Sequence, residues 1–333
     1  MFKTKWPFFL LLLALLAAVP VSAQAETLVV YSGRSEGLIG PILQQFTEAT
    51  GVAVEVRYGG TAEMAATILE EGDNSPADVF IAQDAGALGA LAAADRLSPL
   101  PADILERVPA RFAAEDGRWV GLSGRARVLV YNTSLVSEAE LPASILDLTQ
   151  PQWQGRVGWA PTNASFQANV TAMRLLLGED TTRRWLEGMI ANNVVTFEGN
   201  MPVVQAVING EIAAGLVNHY YLFGFLEQTP DAPAALHFFP GGDAGSLINV
   251  AGAGVVSSSD RPGLAQRLIL YLLSRQAQAY FADETYEYPL IAGVATHPDL
   301  RPLDQIEAPE IDLSRLEDLQ TTLDLLRETG ALP

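Results

Sequence analysis

The stretch TLVVYSGRSEGLIGPILQQFTEATGVAVEVRY, residues 27–58, decides the predicted fold class of this chain. Residues 27–31 form an apolar run typical of a buried strand, and residues 52–58 alternate as a second strand. Between them, apolar residues recur at helical spacing until Gly51, which predicts a helix that ends there. Because a strand–helix–strand unit pairs its strands in parallel, the chain is predicted to be an α/β protein.

The alternation of strands and helices continues along most of the chain, although the second half does not repeat the sequence of the first. The chain has 333 residues, of which about 308 follow residue 25. A single core is too small for that length, so we expect two α/β lobes, with the chain passing between them more than once. A ligand cleft would then lie between the lobes, near the carboxyl ends of the strands. Further strands are predicted at 78–82, 127–131, 156–159, 213–217 and 250–256, and further helices at 61–71, 85–94, 166–177, 181–191, 202–209, 262–283 and 316–328.

Residues 1–25 have the pattern of a cleavable signal peptide. Lys3 and Lys5 precede an apolar run at 8–19, and a small-x-small cleavage site ends at Ala25. The run is too short to span a membrane, so we predict an exported, periplasmic protein. The chain has no cysteine, which excludes disulfides, thiolate metal sites and a lipid-anchored cysteine.

Composition and the absence of catalytic motifs limit what this protein is expected to bind and to catalyse. The net charge of −19 argues against non-specific nucleic-acid binding. A hydrophobic content of 49% with 18% charged residues is typical of a globular protein, not a disordered one. The sequence carries no serine-hydrolase elbow, phosphate-loop lysine motif or His-Glu-x-x-His zinc motif, so we predict that the protein is not an enzyme.

Two adjacent tyrosines, Tyr220 and Tyr221, follow the strand predicted at 213–217. A phenol is a poor ligand for most cations at neutral pH, but Fe³⁺ favours hard anionic oxygen and displaces the phenolic proton. The alternative is a pair of half-buried aromatic side chains anchored by their hydroxyls. Adjacent residues of a strand point to opposite faces, so both phenols can reach one ion only if the chain leaves the strand there. His219 is expected to have a supporting or structural role.

Three arginines lie at expected cleft or crossing positions of a chain that has few cations: Arg34, Arg125 and Arg127. A guanidinium binds planar oxyanions in a bidentate way, so an anion held there could complete the coordination of a metal. The alternative for each arginine is a structural salt bridge. We favour the structural role for Arg127, which is expected to begin a strand, and contact with an anion for Arg34 and Arg125.

Taken together, several segments resemble the periplasmic ferric-iron-binding proteins of ABC transporters, the bacterial transferrins. These segments follow one another in the same order as in that family, through nearly the whole mature chain. Together they indicate the family far more specifically than any one of them does. The matching segments are VYSGRS (30–35), SPADVF (75–80), LSGR (122–125), VYN (130–132), GWAPT (158–162), QAVINGE (205–211), NHYY (218–221) and EYPL (287–290).

The resemblance implies a two-lobed periplasmic-binding-protein fold of type II, with hinge strands near Arg125 and Ile248. The first lobe would comprise residues 26–125 and 249–299, and the second lobe residues 126–248 and 300–333. It implies a monomer that binds Fe³⁺, or a small ferric chelate, together with carbonate, bicarbonate or another synergistic anion. The protein would deliver iron to a membrane permease. The alternatives are the same fold carrying an oxyanion or small organic solute and, more distantly, a secreted enzyme that uses Tyr220 as an acid or base.

The resemblance also implies roles for individual residues. Tyr220 and Tyr221 match the metal ligands, and the positions that match anion contacts are Arg34, Arg125, Asn163, Ser165, Asn218 and Asn200. Some members supply a histidine and a glutamate where this chain has Ser35 and Gln83, and others a third tyrosine in the loop at 162–165. The remaining coordination positions would fall to the anion, to water, or to a residue such as Asp84 or Tyr58.

Overall fold

The structure is a computed structural model that describes residues 1–2 and 26–332. Nearly all of the predicted signal peptide therefore lies outside the described residues. Within the described part of the chain, no helix is long and apolar enough to cross a membrane.

The described residues form a mixed α/β structure, as the sequence predicts. The strands are β1 Thr27–Ser32, β2 Ala53–Tyr58, β3 Val79–Ala82, β4 Leu97–Ser98, β5 Val120–Asn132, β6 Val157–Trp159, β7 Val195–Thr196, β8 Ala214–Asn218, β9 Ala234–His237, β10 Ile248–Val256 and β11 Tyr288–Pro289. The helices are α1 Glu36–Thr50, α2 Thr61–Glu71, α3 Ala85–Ala93, α4 Ala102–Leu105, α5 Ala164–Leu177, α6 Glu179–Ala191, α7 Asn200–Ile208, α8 Tyr220–Leu226, α9 Pro262–Leu272, α10 Arg275–Asp283 and α11 Leu319–Glu328.

The first sheet begins with the unit predicted from residues 27–58. Strand β1 pairs in parallel with both β2 and β3, and β10 joins the far side of β3 in the antiparallel sense. Helix α1 buries Ile39, Ile42 and Phe46 against this sheet, and each such side chain contributes roughly 1.5–3 kcal/mol. The helix ends at Gly51, whose φ of 74° suits a residue without a Cβ.

The second sheet lies in the other half of the molecule. Its main path runs β5, β8, β6 and β7, and β9 also pairs with β5. Its core contains an aromatic cluster in which Trp159 packs edge-on against both Phe166 and Trp185, at centroid distances of 5.4 and 6.1 Å. This cluster packs the start of α5, through Phe166, against Trp159 of β6.

Two strands connect the halves of the molecule. Strand β5 is 13 residues long, and its first half pairs with β10 while its second half pairs with β8. The crossover includes the pairs Arg125–Asn249 and Ala126–Ile248, where hinge strands are expected. The prediction that a strand begins at Arg127 is wrong. The strand begins at Val120, because residues 120–126 already pair with β10.

The C-terminal segment contacts both halves of the molecule. The 3-10 turn Leu313–Glu317 packs against α3, where the carbonyl of Leu316 lies so near Gly86 that a Cβ would not fit. Helix α11 then packs against α5, where Arg174 Nη2 donates to Asp318 Oδ2 at 2.8 Å. Helix α11 therefore packs on the half of the molecule that contains α5, while the preceding turn packs on the half that contains α3.

Candidate metal centre

Tyr220 and Tyr221 lie side by side because the chain leaves the strand immediately before them. Strand β8 ends at Asn218, His219 is already helical with φ −56° and ψ −42°, and α8 begins at Tyr220. The two phenol rings are 4.4 Å apart between centroids and are inclined by 32°. The change from strand to helix therefore brings both phenols to one side, as a shared ion requires.

The surroundings of the pair keep Tyr221 protonated when no cation is present. Burial, the neighbouring Tyr220 and a hydrogen bond between the two raise the pKa of the Tyr221 phenol well above its ordinary value. Arg125 and a hydrogen bond from Asn200 act in the opposite direction. Two adjacent phenolates would repel each other, which disfavours the loss of both protons. A highly charged cation between them would offset this repulsion and so favour that loss.

His219 is held in place by hydrogen bonds on both ring nitrogens. Its Nδ1 accepts from the amide of Ala126 at 3.1 Å, and its Nε2 donates to the carbonyl of Tyr286 at 2.7 Å. The ring is fully buried and stacks on Tyr288 at 4.7 Å. Burial lowers the pKa of His219 to about 4, so the ring is neutral at pH 7. The residue has a structural role, since neither nitrogen is free to bind a metal.

The first lobe reaches the tyrosines through Gln83, which follows β3. Its Nε2 donates to Tyr220 Oη at 3.1 Å, and its Oε1 is buried with no hydrogen-bond partner in the described part of the chain. The next residue, Asp84, caps α3 by accepting from the amides of Gly86 and Ala87. Gln83 is therefore the side chain that joins the two lobes at the phenols, while Asp84 is engaged by its own helix.

Arg127 is the centre of a buried polar pocket beside Tyr221. Its Nη1 donates to Ser165 Oγ at 3.3 Å, Asn200 Oδ1 at 3.4 Å and Asn218 Oδ1 at 3.2 Å. Its Nε and Nη2 are buried and have no partner among the described residues. Burial lowers the pKa of Arg127 to about 10, which leaves the guanidinium charged at pH 7. We call this set (Arg127, Ser165, Asn200 and Asn218) the Arg127 pocket.

Two helices begin at the Arg127 pocket. Asn163 caps α5, where its Oδ1 accepts from the amide of Ser165 at 3.0 Å, and Asn200 is the first residue of α7. Helix N-termini carry partial positive charge and free amides, which favour an anion nearby. Among the residues predicted to contact an anion, the structure therefore brings Asn163, Ser165, Asn200 and Asn218 together on the second lobe.

Arg125 and Arg34 differ in their partners. Arg125 is buried, and among the residues that the structure describes only its Nη2 has a partner, the carbonyl of Val250 at 3.4 Å. Arg34 is equally buried, but its Nη1 and Nη2 donate to the two carboxylate oxygens of Glu287 at 2.9 and 2.6 Å. Arg125 thus has N–H groups free for a ligand, whereas Arg34 forms the structural salt bridge that the sequence left as its alternative.

A cavity of about 520 Å³ opens onto the phenols between the lobes. Its lining includes Ser35, the exposed Met201, Tyr220, Tyr221 and Tyr286. Tyr58 instead lines a separate groove between α1 and β2 and is not brought to the phenols. In the described residues, no group of three or more His, Asp or Glu side chains could hold a metal ion. The tyrosine pair is consequently the part of the described structure best suited to a hard cation.

Two residues, Arg127 and Glu287, have more side-chain partners than the sequence indicates. The sequence favours a structural role for Arg127, which here donates to three side chains. Glu287 lies in the segment EYPL (287–290), which predicts no role for it, yet it forms an ion pair with Arg34. The signal for Arg127 was its placement two residues after Arg125, because residues i and i+2 of a strand lie on one face.

Comparison with known proteins places the chain in a family. Residues 74–311 match the model of the bacterial extracellular solute-binding proteins. The chain belongs to this family. It is 34% identical to the Fe(3+)-binding periplasmic protein of Serratia marcescens, over 92% of this chain and 91% of the relative. It is 35% identical to the major ferric iron-binding protein of a Neisseria meningitidis strain of serogroup A, over 98% of this chain and 99% of the relative.

Solved structures of this family have the same fold. The iron-bound HitA of Pseudomonas aeruginosa superposes with a TM-score of 0.88 at 34% identity, covering 92% of this chain and 99% of HitA. A Trichodesmium protein in complex with iron and citrate gives a TM-score of 0.81 at 28% identity, covering 91% of this chain and 99% of that one. The predicted two-lobed α/β fold of type II is confirmed by these neighbours, as is the resemblance to ferric-iron-binding proteins.

Proposed function

We propose that this protein is a periplasmic receptor that binds Fe³⁺ through Tyr220 and Tyr221 and delivers it to the permease of an ABC transporter. The observation that carries the proposal is that two phenol rings converge at the cleft, with their centroids 4.4 Å apart. Gln83 of the other lobe reaches this pair through its hydrogen bond to Tyr220. The names of the relatives from Serratia and Neisseria support iron as the ligand. They support a binding protein rather than an enzyme, and they favour iron over an oxyanion or organic solute as the cargo.

Iron capture would replace two phenolic protons by one trivalent cation. Each phenolate supplies a hard, charged oxygen, and the two together leave about one positive charge on the ion. The high pKa of Tyr221 makes this a competition between iron and protons, so a weak Lewis acid would not displace the proton. The site should therefore prefer small trivalent cations to common divalent ones.

The remaining coordination positions would be filled partly by a synergistic anion such as carbonate. The Arg127 pocket supports this, since Arg127 is charged, buried and still has two N–H-bearing nitrogens without partners in the residues described. An uncompensated buried charge is costly, and an anion bound between Arg127 and the iron would offset it. Arg125, on the same face of β5, would add a second donor.

Opening and closing of the lobes would control iron exchange. Besides the contact between Gln83 and Tyr220, the hydroxyl of Tyr286 donates to Glu227 Oε1 at 2.7 Å across the mouth of the cavity. These contacts stabilise the closed form without covalent ties, and β5 and β10 provide the hinge. Such hinge closure excludes water from bound ligand and is reversed for release.

The direct test is a ferric titration of the purified mature protein. We expect a visible phenolate-to-iron charge-transfer band that grows to one equivalent of iron when ferric citrate is added in bicarbonate buffer. Aluminium, which has no such band, should compete for the site. A colourless titration with fully folded protein would contradict the proposal.

Gln83 offers a prediction about affinity. Gln83→Glu places a carboxylate beside Tyr220 and is expected to tighten ferric binding about tenfold, or 1.4 kcal/mol, because a charged ligand replaces a neutral amide. Gln83→Leu should weaken binding about fivefold, because one hydrogen bond to Tyr220 is worth about 1 kcal/mol. Competition with citrate, followed by absorbance, measures both. Gln44→Glu, at an exposed position of α1, adds the same charge away from the site and should leave affinity unchanged.

A further inference from the structure

The C-terminal segment crosses from one lobe to the other beside the candidate metal centre. Its turn, Leu313–Glu317, packs against α3, and α11 packs against α5. Helix α3 begins two residues after Gln83, which reaches the phenols, and α5 begins at the Arg127 pocket. We call residues 313–328 the C-terminal strap. The strap therefore bridges the lobes at the cleft, whereas β5 and β10 join them at the hinge.

Hydrogen bonds hold the α11 end of the strap to α5. Arg174 of α5 is 8% exposed and donates to the carbonyl of Asp318 at 3.1 Å, to its carboxylate at 2.8 Å and to Thr322 Oγ1 at 2.8 Å. The hydroxyl of Thr322 also lies 2.7 Å from that of Thr171 on α5, and both threonines are fully buried. Separating α11 from α5 would leave these buried polar groups without partners, which is costly.

Packing alone holds the other end of the strap to α3. In the described part of the chain, no hydrogen bond joins the turn to α3. Leu313 and Leu316 are 3% and 2% exposed, and Ser314 Oγ is buried without a partner among the described residues. The carbonyl oxygens of Leu316 and Ser314 lie so near Gly86 and Gly89 that an added Cβ would come within 2.5 and 2.7 Å of them. Since this contact contains no directional bond, the turn is the end that can separate from its helix.

The link between the two ends of the strap is short. Leu316 and Leu319 both line a cavity of about 30 Å³ between the lobes, together with Ala87 of α3 and Ala164 of α5. Three residues of fully extended chain span only about 10 Å. With both ends in place, the starts of α3 and α5 cannot move apart by more than this length allows. A wider opening of the cleft requires one end of the strap to leave its helix.

We propose that the C-terminal strap holds the lobes closed, and that the turn Leu313–Glu317 leaves α3 when the cleft opens. Docking of the turn buries Leu313 and Leu316, so hydrophobic burial favours the closed form in addition to the contacts at the cavity mouth. The effect on iron exchange rests on the proposed function, whereas the movement of the strap does not. If iron is the cargo, detachment of the turn limits the rate of its release.

The first test disturbs the contact between the turn and α3 from both sides. Leu316→Ala removes a buried anchor of the turn, and Gly86→Ala places a methyl group where the carbonyl of Leu316 lies. Both variants are expected to increase the radius of gyration of the iron-free protein in small-angle X-ray scattering. Both should speed the transfer of iron to a competing chelator about tenfold, because the closed form loses part of its stabilisation.

Gly263→Ala is the matched control for this test. Gly263 lies in the first turn of α9, where an added Cβ meets no atom within 4 Å, so the radius of gyration and the release rate should stay unchanged. Circular dichroism establishes that every variant is folded. A folded Leu316→Ala or Gly86→Ala variant with the wild-type radius of gyration and release rate would overturn the proposal.

The second test follows the strap in the wild type by amide hydrogen exchange. We expect iron loading to slow exchange in the turn at 313–317, while α11 is equally protected in the iron-free and iron-loaded forms. Equal protection of the turn in both forms would contradict the proposal, as would a loss of protection in α11 together with the turn. Failure of the iron-binding function would appear separately, as a wild type without a visible band whose strap variants still increase the radius of gyration.

Discussion

Replacing both Tyr220 and Tyr221 by phenylalanine is expected to abolish the ferric charge-transfer band and to lower iron affinity at least a thousandfold, or about 4 kcal/mol. The substitution removes the only two side-chain atoms of the pair that can become anionic, while the rings keep their packing. Each single variant should retain a weaker band, because one phenolate remains. Tyr220→Phe should be the more damaging of the two for closure, since it also removes the acceptor for Gln83.

Tyr286→Phe is the matched control for the tyrosine pair. Tyr286 lines the same cavity, and its hydroxyl bonds to Glu227 rather than pointing at the pair. It should keep the band at full intensity and weaken iron binding by no more than the loss of one hydrogen bond across the lobes, about 1 kcal/mol. A band that survives in the double phenylalanine variant, or that disappears in Tyr286→Phe, would mean that the iron ligands are elsewhere.

The parts of the fold that depend on neighbours in sequence could be predicted from the sequence. The unit of β1, α1 and β2 is correct because its apolar spacing and its terminal Gly51 act within a few residues of one another. The tyrosine pair could be singled out for the same reason, since the two residues are adjacent in sequence. The sequence states the change from strand to helix at His219 only as a requirement, because the partners that hold its ring, Ala126 and Tyr286, come from other parts of the chain.

The parts of the site that depend on distant pairing could not be predicted in this way. Arg34 and Glu287 are 253 positions apart, and nothing local to either residue indicates the other. Arg127 reaches its pocket because β5 pairs with β8 in the register that sets Arg127 opposite Asn218. A local pattern shows that an arginine lies on a strand, but the register between strands decides whether it meets a carboxylate, an amide or a ligand.

His219→Leu is expected to lower the free energy of unfolding of the iron-free protein by roughly 2–6 kcal/mol, which makes it the largest stability effect that we predict from the site. The leucine leaves two buried backbone groups, the amide of Ala126 and the carbonyl of Tyr286, without the partners that His219 provides. Each unsatisfied buried group costs about 1–3 kcal/mol. Urea unfolding followed by circular dichroism, together with the melting temperature, measures the loss.

His237→Leu is the control for this variant. His237 is half-buried and makes one hydrogen bond, from Nε2 to the carbonyl of Pro142 at 2.7 Å, so its replacement should cost about 1 kcal/mol. Equal losses in the two variants would show that the two bonds of His219 add nothing beyond an ordinary surface contact.

The reason for a large effect at His219 is that three parts of the molecule meet on one ring. The ring joins the hinge strand at Ala126 to the first-lobe residue Tyr286, whose backbone has a φ of 53°, and it packs edge-on against Tyr220 at 5.7 Å. A non-glycine residue in the left-handed region is held there at a cost of about 1–2 kcal/mol, so loss of the bond to its carbonyl should release it. The mouth of the cavity would then loosen together with the start of α8. We therefore expect His219→Leu to weaken iron binding as well, but less than the loss of either phenol, because both phenols remain.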